Sequence, residues 1–220
     1  MLTLGSVFSY PGGSRLDHAA AGYSFSHNFL SDLGMTVTYS GRTNSLGSLM
    51  FTIAMTIVVF GLAGVLVGFA RLYSETRAAR RLSRAAVFAG LIVCVSLLGV
   101  ALTPENRQLE LHIRFTVTAF RIFPAVPLLL GLASRYSNAL PRRVSIAWMT
   151  LTAVLAAYVV LVGWGPTTAT ADGLITQITA QKIVAMSIVV IFFYSSVEAE
   201  RAVAAVSQKP QSQDLLSASR

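Results

Sequence analysis

Five apolar stretches, at 47–70, 85–102, 111–134, 144–164 and 178–197, constrain this 220-residue chain more than any other feature. Each is close to the length a helix needs to cross a hydrocarbon core of about 30 Å at roughly 1.5 Å of rise per residue. A backbone surrounded by lipid has to satisfy its own N–H and C=O groups, and an unpaired segment does so only as a helix. Composition agrees: 54% of residues are hydrophobic and 12% charged, and mean hydropathy is +0.65. The expected fold class is all-α, a polytopic transmembrane helical bundle with five visible spans. Its parts are an extracytoplasmic N-terminal cap (1–46), a transmembrane helical domain (47–200) and a cytoplasmic tail with the composition of disorder (201–220).

The formal charge of +8 would suit nucleic acid on a soluble domain, but here it follows the loops. Arg71, Arg77, Arg80, Arg81 and Arg84 crowd the first inter-span connection, Arg135, Arg142 and Arg143 the third, and Arg201, Lys209 and Arg220 the tail. The second loop has Arg107 among acids, and the fourth, GPTTATADGLITQ, has no basic residue. This alternation places the N-terminal segment outside a plasma (inner) membrane and the C-terminus in the cytoplasm. Membrane lipids are then the expected partners and nucleic acid is excluded. The first ten residues, MLTLGSVFSY, lack the basic start and full apolar core expected of a cleavable leader. The run MLTLGSVFSY before PGG also reads as the outer end of a helix begun upstream, which would make six spans with both termini cytoplasmic.

Gly64 and Gly68 form a small-xxx-small face on the first span, suited to an internal helix contact or to a homo-oligomer. Pro124 and Pro127 remove backbone donors from the third span and should kink it. Cys94 is the only cysteine, so no disulfide forms within the chain, and its place in the second span reads as packing.

The third span carries the costly residues, Arg114 and Arg121. A guanidinium in hydrocarbon faces a partner or a wet cavity in most proteins, which makes it a pointer to a site. Glu110, Arg114, Thr118 and Arg121 recur at helical spacing and form a stripe running inward from the outer surface, with Arg121 near mid-membrane. Glu110 can pair with Arg114. No acid lies deep in any span, so Arg121 has no obvious ion-pair partner. His112, two residues from Glu110 and from Arg114, points away from the stripe.

His27, Asp32 and His112 share the outer side and are the candidates for acid–base catalysis or metal ligation, since imidazole and carboxylate suit both. Their spacing matches no HExxH or GxSxG pattern, and no cofactor is named by it. Lys182 can snorkel to the outer interface, Gln181 can face a neighbouring helix, and Glu198 and Glu200 solvate the inner end of the last span.

The segment NFLSDLG, Asn28 to Gly34, with Asn44 before the first span and His112 opening a later one, resembles the prokaryotic membrane family catalogued as domain of unknown function 998. That resemblance implies a polytopic membrane protein, commonly of six spans, and implies no activity. Ser31, Asp32, Leu33 and Gly34 match its loop motif, Asn44 its downstream asparagine and His112 its later histidine. On it, Asn28, Ser31 and Asn44 join Arg114 and Arg121 as ligand-binding candidates.

Three functions are compatible with these residues. The leading expectation is a membrane protein that binds an anionic lipid headgroup or small anion at an outer-facing polar site. The alternatives are a membrane-embedded lipid hydrolase or transferase using the His/Asp cluster, and a small transporter.

Overall fold

The computed structural model describes the backbone of residues 1–218 and the side chains of residues 1–205. It contains α1 (Leu2–Ser9), α2 (Ser45–Leu72), α3 (Arg77–Leu102), α4 (Leu109–Ile122), α5 (Ala125–Arg135), α6 (Arg142–Trp164) and α7 (Ala171–Ala218). Five segments are long and apolar enough to cross a membrane: α2, α3, α4 with α5 as Leu109–Arg135, α6, and Ala171–Ala205 of α7. No strand forms among the described residues; two isolated bridges, Gly12 with Ala21 and Val37 with Thr43, brace the cap between α1 and α2. The protein is thus a polytopic helical bundle under a cap. The segment read as a disordered tail lies largely outside the residues with described side chains, and its backbone continues α7 to Ala218.

Proline divides the third span. Pro124 has no N–H to offer the preceding turn, and the Val126 N–H instead reaches the Phe123 carbonyl at 2.9 Å. The two halves then pack differently. α5 lies between α3 and α6, whereas α4 stays against α3 and barely touches α6. The break therefore opens a gap beneath the cap between α4 and the α6–α7 pair.

The core is aromatic where the helices converge. Trp148, fully buried, meets Phe69 edge-on at 5.3 Å and Phe192 at 4.9 Å. Around it pack Tyr73, Val126, Leu130, Leu151 and Leu155. A smaller cluster of Tyr10, Leu33 and Phe51 seats the cap on α2. Large apolar side chains such as Phe60, Phe88 and Phe193 face outward, as a lipid-facing surface requires.

Close approach uses other glycines than expected. Gly90 lies under Leu66, Gly99 under Phe115 and Gly131 under Trp148 and Met149. Gly61, Gly64 and Gly68 face open space, so the Gly64/Gly68 face is not an internal helix contact. The expectation for Glu198 is also corrected. Its side chain is 4% exposed and is held by Arg143 at 2.6 Å from α6 and by Arg201 at 2.9 Å. It joins α6 to α7 and does not merely solvate a helix end.

Candidate functional site

The cap is organised by a tight turn and one asparagine. Gly13 has a φ of +86°, and a Cβ there would strike the Tyr39–Ser40 backbone, so Tyr10-Pro-Gly-Gly13 can fold back only with glycine at its end. The Gly13 carbonyl accepts from Asn28 Nδ2 at 3.0 Å and from the Tyr10 hydroxyl at 3.2 Å. Asn28, fully buried, also donates to Asp32 Oδ2 at 3.0 Å, and its Oδ1 accepts the Ser24 N–H. Asn28 therefore joins the two ends of the cap.

Asp32 sits in the short 3-10 turn Leu30–Gly34, where its Oδ2 also accepts the Phe29 N–H at 3.0 Å. It is 1% exposed, and its Oδ1 has no hydrogen-bond partner among the described residues. Burial pushes its pKa up to about 7, and Glu105 adds to that; the bonds from Asn28 and Phe29 and the charge of Arg15 only partly oppose it. Burial and the nearby Asp32 carboxyl also raise Tyr10, Tyr23 and Tyr39, so these phenols stay protonated.

Lys182 was expected to snorkel and does not. It is 8% exposed, donates to the Asn28 carbonyl at 2.7 Å, and lies 4.6 Å from the Phe25 ring centre and 5.5 Å from that of Tyr23. Gln181 beside it accepts the Leu30 N–H at 3.0 Å. The pair ties α7 to the cap across about 150 residues of sequence, a length that loop-closure physics does not forbid. The visible signal was a Gln-Lys pair inside an apolar span.

Below the cap the gap beside α4 forms a half-open cleft of about 650 Å³. Ser31, Gln181 and the Arg15–Glu105 ion pair (2.8 Å) rim it; Arg15 also donates to Thr168 at 3.0 Å. Its walls are apolar, with Val117, Phe120, Tyr158 and Val159, and Arg121 lines it among them. Arg121 makes no hydrogen bond or ion pair among the described residues, while Arg15, the other cation of the cleft, is already matched by Glu105.

The candidates separate accordingly. Ser31, His112 and Arg121 line the cleft. Arg114 does not: it is 72% exposed outside it and paired with Glu110 at 2.6 Å; Glu110, Arg114, Thr118 and Arg121 are all exposed, and of the four only Arg121 borders the cleft. Asn44 starts α2 and donates to the carbonyls of Leu33 and Met35, which fastens the 3-10 turn. His112 points away from the stripe, as its spacing requires. Its buried Nδ1 donates to the Thr103 carbonyl at 2.7 Å and ties α4 to the end of α3. His27 is engaged by Ser24 and Ser26. Among the described residues no three His, Cys, Asp or Glu side chains are placed to hold a metal, so His27, Asp32 and His112 do not form the cluster considered for them.

Comparisons of the chain with protein-family models, with curated proteins and with solved structures find no match.

Proposed function

We propose that this protein binds an amphiphile with an anionic group, a membrane lipid above all, in the lateral cleft between α4 and the α6–α7 pair. One observation carries the reading: Arg121 lines a half-open, mostly apolar cleft with no partner among the described residues. A guanidinium in that position is far more stable beside an anion than facing hydrocarbon. Apolar walls suit an acyl chain, and the rim of Ser31, Gln181 and Arg15 suits polar headgroup atoms. The proposal places the chain in a prokaryotic plasma membrane, cap outside and C-terminus inside, and among proteins similar to the family of domain of unknown function 998. The basic loops and the loop motif Ser31 to Gly34 support this.

The test is lipid retained by the purified protein, measured by mass spectrometry. Arg121→Ala should lose anionic lipid by about tenfold or more, the worth of one charge-assisted hydrogen bond. Arg114→Ala, outside the cleft, should retain it. Equal lipid content in wild type and Arg121→Ala would sink the reading.

A further inference from the structure

A second basic feature lies at the opposite end of the bundle from the cap. α2 ends in Leu72 and α3 begins at Arg77, and where they meet a hollow of about 540 Å³ is lined by Arg71 from α2 and by Arg80 and Arg84 from α3. Its remaining lining includes Val67 and Val87, one apolar residue from each helix on the membrane side of the arginines. A smaller hollow, lined by Arg77, Arg80, Arg81 and Arg84, adjoins it. Topology alone asks for basic residues near this end of the spans. It does not ask that three of them converge from two helices on one hollow.

Among the described residues nothing neutralises the group. Glu75 is the one acid in the α2–α3 connection, and it is turned away: its carboxylate accepts the Ser137 hydroxyl at 3.2 Å and the Asn138 N–H at 3.0 Å, both beyond α5. None of the five arginines makes an ion pair among the described residues. Arg80 is held in place by a neutral acceptor, the Ser74 carbonyl, through Nε at 3.3 Å and Nη2 at 3.1 Å. Since α3 starts here, its positive dipole end adds to the same field. The hollow thus joins a fixed guanidinium, two further guanidiniums and an apolar floor.

We propose that this hollow binds the phosphate of an anionic phospholipid, with Arg71, Arg80 and Arg84 around the oxyanion and the glycerol end of the acyl chains against Val67 and Val87. Arginine suits the role because its planar fork matches phosphate oxygens. The site is independent of the cleft under the cap and uses none of its residues.

The full chain in detergent, titrated with phosphatidylglycerol and separately with phosphatidylcholine and read by native mass spectrometry, tests it. Wild type should bind phosphatidylglycerol in preference. The double variant Arg71→Gln/Arg84→Gln should bind it about thirtyfold more weakly, at about a tenfold factor or less per arginine near a membrane surface. The charge-matched variant Arg135→Gln/Arg142→Gln removes two arginines from the same end but outside the hollow, and should stay within about threefold of wild type. All four positions are exposed, so folding should survive, and the melting temperature in detergent checks this. Equal losses in the two double variants, or no preference over phosphatidylcholine, would overturn the proposal in favour of diffuse attraction. Displacement of the lipid by millimolar inorganic phosphate would overturn the lipid assignment and give the hollow to a soluble phosphate.

Discussion

At the scale of the residue, Asp32 concentrates the chemistry of the cap. A carboxyl with one oxygen bonded and the other buried without a partner favours its protonated form. Its ordinary pKa is 3.8 and the folded value is about 7. Between these two, the folded protein holds a proton that the unfolded chain has released. Stability should therefore fall as pH rises through this window and level off above about 7. Asp32→Asn keeps the acceptor and removes the titration. Melting temperature in detergent between about pH 4 and pH 7 should decline for wild type and lose that slope in the variant. A parallel decline in both would show that Asp32 is ionised throughout. The sequence marked Asp32 as a candidate but suggested metal ligation or catalysis. Its partners Asn28 and Phe29 were local and readable, whereas its burial depended on Tyr10, Leu33 and Phe51 meeting from three segments.

At the scale of the element, glycines and prolines show which local signals carry through. The presence of five spans and the break at Pro124 follow from chain chemistry alone, because a missing N–H interrupts a helix wherever it falls; the starts of α3 and α7 do not, since both helices begin with polar residues ahead of their apolar stretches. The partner of a helix face does not follow. Gly64 and Gly68 carry the spacing of a packing motif and face open space, while Gly99, in no such motif, sits against Phe115. A Cβ at Gly99 would lie 2.5 Å from that ring. Gly99→Ala should push α4 from α3 and cost about 1–3 kcal/mol. Gly64→Ala meets open space and should stabilise one copy by up to about 1 kcal/mol through helix propensity. Unfolding in detergent with increasing denaturant separates the two, and equal effects would contradict this packing of α3 on α4.

At the scale of the whole molecule, α7 acts as a strut fixed at both ends. Lys182 and Gln181 hold it to the cap, and Glu198 holds it to α6 through Arg143. Lys182→Met should free the cap from this strut and cost about 2 kcal/mol, the scale of a hydrogen bond made by a charged group. Hydrogen exchange should then rise in residues 28–34, where the Asn28 carbonyl loses its ammonium donor. Unchanged protection there would mean that the Lys182 bond does not hold the cap. Charges in α7 had seemed dispensable at both ends, since helical spacing reports which side of a helix a residue takes and nothing about what lies opposite.

The sequence by itself determined that five spans are helical, roughly where they lie, and that the third is broken, because lipid leaves the backbone no partner but itself; that α3 and α7 begin well before their apolar stretches was not determined by it. It also determined that Arg114 pairs with Glu110 and that His112 turns away from both, since these are contacts within one helix. Only the tertiary structure decided that Arg121 borders a half-open cleft, that Lys182 is buried beneath the cap, and that three arginines converge between α2 and α3. Those outcomes depend on contacts between distant segments and on the swing of α4 at Pro124, which no local period encodes.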